Sequence, residues 1–158
     1  MSILVSYFST GGVTANAAKK IAAVTGGRIF EIEPEIPYSS KDLDWMDSHS
    51  RSTLESKDPN AKVALKKLPN LIGVKTLFVG FPVWWYTCPK IIDTFLASLN
   101  LKGIQVIPFC TSGGTSLQTC EKKMKASNPG LDWKPGLRLT ASTTLEQIRA
   151  WIDSLNLA

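Results

Sequence analysis

The sequence predicts an α/β fold, a three-layer sandwich with a parallel five-stranded sheet between helices. Three observations predict it. Short apolar or β-branched runs alternate along the chain with segments whose apolar residues fall at helical spacing, the pattern of repeated strand–helix units. The strongest run, residues 74–81, is rich in apolar and β-branched residues, as a strand covered on both faces requires. The chain has 158 residues, close to the size of one compact domain, so residues 1–158 are expected to form a single unit.

Each element follows in order. Residues 2–8 form a short apolar run stopped by Ser9, Thr10, Gly11 and Gly12, which predicts the first strand. Ala17, Ala18, Ile21, Ala22 and Val24 then share one face of a helix, with Lys19 and Lys20 on the other, until Gly26 and Gly27 end it. Residues 28–32 alternate as a strand does, and Pro34 and Pro37 close the run. Residues 34–59 are irregular and rich in Ser, Asp and Pro. Leu43, Trp45, Met46 and Leu54 nevertheless predict a loop followed by a helix over residues 41–56. After the strand at 74–81, Ile91, Ile92, Phe95, Leu96 and Leu99 predict a helix that Pro89 opens well. Residues 104–110 predict the fourth strand, residues 116–126 a helix, and residues 136–139 the last strand. Residues 144–147 open a C-terminal helix carrying Ile148, Trp151, Ile152 and Leu155 on one side.

Composition excludes several classes. With 44% hydrophobic and 20% charged residues, the chain has the make-up of a globular protein that folds without metal or disulfide support. Its N-terminus lacks a basic leader, and no apolar run approaches the ~20 residues of a bilayer span. A cytoplasmic protein is expected, with no membrane partner. Cys88, Cys110 and Cys120 are odd in number and lack paired spacing, which argues against a disulfide framework or a zinc site. The net charge of +5 is spread over lysines at solvated helix positions, without an arginine-rich, aromatic-interleaved stripe, so nucleic acid is not expected as a partner.

Three loops carry the chemistry. Ser9, Thr10, Gly11, Gly12, Val13 and Thr14 join the first strand to the first helix, where hydroxyls and glycine-exposed amides make a site for a phosphate. No lysine is present, so this is not the phosphate loop of an NTPase. Pro82, Val83, Trp84, Trp85, Tyr86 and Thr87 follow the third strand. Three adjacent large aromatics in a polar connection point to a flat aromatic ligand, because side-chain alternation can bury only about half of them. Which of the three face the ligand is open, with Trp85 weighed for the core. Thr111, Ser112, Gly113, Gly114 and Thr115 follow the fourth strand and can offer amides and hydroxyls to a polar ring edge. Ligands of open α/β sheets bind at this carboxyl edge of the strands. No general acid or base stands at these loops, and the lone His49 reads as structural or solvated.

Together, residues 6–14, 80–85 and 108–114 resemble the flavodoxins, most closely short members with a Tyr-Phe-Ser phosphate loop and a Pro-x-Trp-Trp aromatic loop. The resemblance covers essentially the whole chain. It implies the sheet order 2-1-3-4-5 with FMN at the switch point. It places the phosphate at Ser9, Thr10, Gly12 and Thr14, the flavin ring beside Pro82 to Tyr86, and the ring's polar edge beside Thr111 to Gly114. Gly11 and Val13 stand where the family usually has threonine and asparagine. The implied function is electron transfer through bound flavin, with an FMN-dependent NAD(P)H:quinone-type oxidoreductase as the alternative. The partner would be a redox protein or a small-molecule donor or acceptor. Because residues 82–87 contain no glycine, the resemblance also implies that a peptide flip into positive φ beside the ring is disfavoured.

Overall fold

The computed structural model describes residues 2–112 and 114–157. Along the chain the elements are β1 (Ile3–Tyr7), α1 (Val13–Thr25), β2 (Arg28–Glu31), α2 (Arg51–Lys57), β3 (Thr76–Pro82), α3 (Lys90–Ala97), β4 (Gln105–Thr111), α4 (Leu117–Ser127), β5 (Asp132–Trp133), β6 (Leu137–Leu139) and α5 (Leu145–Ser154). The sheet runs β2-β1-β3-β4-β5, with β6 also on β4, and these strands pair in parallel.

Alternation along the strands divides the core into two apolar layers. Ile3, Val5, Tyr7, Phe78, Ile107 and Phe109 face Ala17, Ala18 and Ile21 of α1 and Ile148 and Trp151 of α5. Leu4, Leu77, Val79, Phe81, Val106 and Cys110 face Ile91, Ile92, Phe95 and Leu96 of α3 and Leu117, Cys120 and Met124 of α4. Gly80 is required in β3 because the Phe109 ring, its register partner, lies where a Cβ would stand.

Two sequence expectations need correction. The helix expected over 41–56 is confined to Arg51–Lys57. Upstream, Ser and Asp side chains capture backbone amides and favour turns over a helix. Ser39 N donates to Asp42 Oδ2 at 2.9 Å, Met46 N to Asp44 Oδ1 at 3.0 Å and His49 N to Asp47 Oδ1 at 2.9 Å. The last strand begins earlier than expected and is broken in two. Asp132 and Trp133 pair with Gln105 and Val106, and pairing resumes at Leu137 with Phe109. Residues 134–136 thus lie opposite only Ile107 and Pro108, a bulge of one extra residue at a place where Pro108 and Pro135 both lack an amide donor.

The register also aligns the functional edge. Tyr7 pairs with Gly80 and Pro82 with Thr111, so the loops after β1, β3 and β4 leave the same edge of the sheet.

Candidate functional site

The loop after β1 is shaped by its own hydroxyl and one left-handed residue. Ser9 Oγ accepts from the amides of Gly12 at 3.2 Å and Ala15 at 3.3 Å. Gly12 has φ 89°, a conformation glycine adopts without penalty. Among the described residues no acceptor meets the amides of Thr10, Gly11, Val13 or Thr14. These donors at the start of a 13-residue helix suit an anion. Thr14 is buried, and its hydroxyl bonds that of Thr111 at 2.8 Å, tying the first loop to the end of β4. Thr14 therefore braces the site through Thr111 as well as bordering it.

A cavity of 480 Å³ lies over this loop, lined by Thr10, Gly11, Val13, Thr14, Pro82, Thr111 and Ser112, and by Arg138 from β6. Arg138 was absent from the sequence reading of the site. Its Nε donates to Ser112 Oγ and its Nη2 to Ser112 O, both at 2.9 Å. It brings a cation to a loop that has no lysine. The signal available in the sequence was an arginine between Leu137 and Leu139, on a strand otherwise apolar. Ser112 Oγ in turn donates to Thr115 O at 2.6 Å. Gly114 is exposed, and Gly113 lies outside the described residues.

The loop after β3 is a two-residue hairpin. Trp84 N donates to Thr87 O at 3.0 Å and Thr87 N to Trp84 O at 3.1 Å, with Trp85 at φ 48° and Tyr86 at φ 64° between them. Positive φ at both central positions is the requirement of a type I′ turn, normally met by Asn-Gly. Here two bulky aromatics meet it. The fold thus holds Trp85 and Tyr86 in the left-handed region without a glycine. Packing also divides the aromatics, which the sequence left open. Trp84, not Trp85, packs on the core, edge-on to Phe8 at 5.6 Å and to Tyr38 at 5.5 Å. Trp85 is half-buried and Tyr86 is 65% exposed.

A second cavity, of 510 Å³, is lined by Val83, Trp84, Trp85 and Tyr86, by Thr10 and Thr115, and by Leu43, Trp45 and Ser52. The last three come from the irregular segment, which the sequence reading left without a role in the site. Its anchor is a cluster around Tyr38. The phenol donates to Glu55 Oε1 at 2.5 Å, Arg51 Nε donates to Glu55 Oε2 at 3.0 Å, and the Arg51 guanidinium lies 3.9 Å above the Tyr38 ring. Burial and the Glu55 hydrogen bond push the Tyr38 hydroxyl well above the usual phenol range, so it remains a donor. Arg51 Nη1 also donates to Ile36 O at 2.7 Å. Tyr38 in turn rests on Phe8 and Trp84, which fixes the segment to the edge of the sheet.

His49 is exposed, touches Ser48, and lines neither cavity. The three cysteines are buried free thiols. Burial raises all three above the usual thiol range, Cys110 to about 12. Among the described residues no group of His, Cys, Asp and Glu is arranged to hold a metal, and no helix is long and apolar enough to cross a membrane.

Three comparisons bear on this geometry. The chain matches a flavodoxin family model over residues 2–155. A candidate flavoprotein from Bacteroides eggerthii is 43% identical, with a TM-score of 0.95 and 99% of each chain covered. Another, from Bacteroides uniformis, is 41% identical with a TM-score of 0.92, covering 96% of this chain and 97% of its own. A Lactobacillus acidophilus flavoprotein solved in complex with FMN shares the fold at 20% identity and a TM-score of 0.70, with 99% of each chain covered. No curated protein matches the sequence. With its 2-1-3-4-5 sheet and its loops gathered at one edge, the chain belongs to the flavodoxin family.

Proposed function

We propose that this protein binds FMN across the two cavities and transfers electrons through it. The observation that carries the reading is that Thr10 lines both cavities. A ligand with a phosphate at one end and a flat ring at the other would fill them together. The unpartnered amides of residues 10, 11, 13 and 14 suit the phosphate, and Arg138 adds a charge-assisted donor on that side. Val83, Trp84, Trp85 and Tyr86 offer an apolar wall for the ring, and Thr115 stands in the same cavity as a polar neighbour of its edge. Bound FMN would supply the redox chemistry itself, while these residues hold, orient and shield it. The names of the similar flavoproteins agree with this assignment. The net charge of +5 suits an acidic redox partner or a small anionic donor or acceptor.

The test is titration of apoprotein with FMN and with riboflavin, followed by flavin fluorescence. FMN is expected to bind at least tenfold more tightly, since each charge-assisted hydrogen bond contributes about 1.5–3 kcal/mol. Equal affinities would reject the phosphate site. The FMN-loaded protein is expected to stay yellow when NADH or NADPH is added without a reductase and to bleach with dithionite. Rapid bleaching by either nicotinamide would replace the carrier reading with an enzyme.

A further inference from the structure

Ser52 is 2% exposed, and its hydroxyl oxygen is buried with no hydrogen-bond partner among the described residues. Such a group loses its hydration on folding without replacement, so folding alone disfavours it. Its neighbours show the normal outcome: the hydroxyls of Ser50 and Thr53 bond each other at 2.8 Å. The Ser52 amide is already engaged, donating to Asp42 O at 2.9 Å. Ser52 also lines the ring-side cavity, together with Trp45, Trp84 and Trp85. Trp45 is 70% exposed, so core packing gives little reason for an indole there.

We infer that Ser52 contacts the ligand of this cavity: its hydroxyl, enclosed in the cavity wall, rotates about the Cα–Cβ bond to hydrogen-bond a carbonyl or ring nitrogen at the edge of a flat heteroaromatic ring, and Trp45 packs on that ring. The inference rests on the proposal that the cavity holds a flavin. It adds the segment between β2 and β3 as a wall that reads the ring, distinct from the loops that read the phosphate. The Tyr38–Arg51–Glu55 cluster then acquires a purpose, since it carries Ser52 and Trp45 to the cavity.

The experiment compares wild type with Ser52→Ala by titrating each apoprotein with FMN and with riboflavin, by melting each apoprotein, and by recording the visible spectrum of the bound flavin. Loss of one neutral hydrogen bond is expected to weaken both flavins alike, by about fivefold, and to shift the visible band. The apoprotein is expected to melt at the same temperature or higher, because the variant removes a buried polar group without a partner. Unchanged affinity for both flavins, a loss confined to FMN, or a lower apoprotein melting temperature would each overturn the assignment while leaving flavin binding itself intact. A wild-type protein that binds neither flavin would overturn the cofactor reading and this assignment with it.

Discussion

The loop after β1 and the loop after β3 both place left-handed backbone at the site, by opposite means. In the first, the left-handed position is Gly12, and Ser9 closes the turn with its own hydroxyl. Sequence and backbone agree there, so the shape is encoded locally. In the second, Trp85 and Tyr86 occupy the left-handed region, where a side chain costs about 1–2 kcal/mol per residue. That turn persists because its surroundings hold it: Trp84 is wedged against Phe8 and Tyr38, and Val83 N donates to Thr111 O at 3.1 Å. The contrast teaches that, of these two loops, the one on the ring side carries the backbone strain, where large aromatics are kept despite their conformational cost.

The largest expected effect breaks the support of the strained loop. Trp84→Ala removes the indole between Phe8 and Tyr38 and should cost about 3 kcal/mol of stability. For a chain of this length that lowers the melting temperature by about 6–12 °C. A drop below about 2 °C would mean that the loop does not depend on this anchor.

Thr14→Val addresses the first loop. It leaves the Thr111 hydroxyl without its partner, so apoprotein stability should fall by about 1–3 kcal/mol. FMN affinity should fall at least tenfold, with riboflavin nearly unchanged. Parallel titrations of the two flavins check this, and an equal loss for both would move the phosphate elsewhere.

A paired substitution sharpens the comparison directly. Gly12→Ala meets open space but must adopt φ 89°, so it should destabilise by about 1 kcal/mol. Tyr86→Gly relieves the left-handed cost and should raise the apoprotein melting temperature by about 2–4 °C, while weakening flavin binding through loss of aromatic contact. Calorimetry of the two apoproteins should give shifts of opposite sign. Shifts of the same sign would refute the idea that, of the two loops, only the ring-side one is strained.

The smallest effect concerns the thiols. Because burial shields Cys88, Cys110 and Cys120 and raises their thiols above the usual range, a disulfide-exchange reagent at pH 8 should label none of them in the native protein and all three in denaturant. Prompt labelling of Cys120, whose thiol donates to Tyr86 O at 3.7 Å, would reveal opening of the strained loop.

The sequence by itself determined the order of strands and helices, because period-2 and helical periodicities are local properties and the chain satisfies both without conflict. It also marked the three loops, since hydroxyl- and glycine-rich turns and a run of adjacent aromatics, gathered at one sheet edge, form a combination more specific than its parts. The tertiary structure alone decided the rest. Strand pairing revealed the split of the last strand, because a bulge depends on the register between Trp133 and Leu137 and their partners on β4. Packing decided that Trp84, rather than Trp85, anchors the loop, since alternation along a strand does not extend into a hairpin of positive φ. Arg138, Trp45 and Ser52 reached the cavities from elements far along the chain. Their places depend on long-range contacts such as Tyr38 on Trp84 and Arg138 on Ser112, and no local pattern in the sequence encodes a distance between residues so far apart.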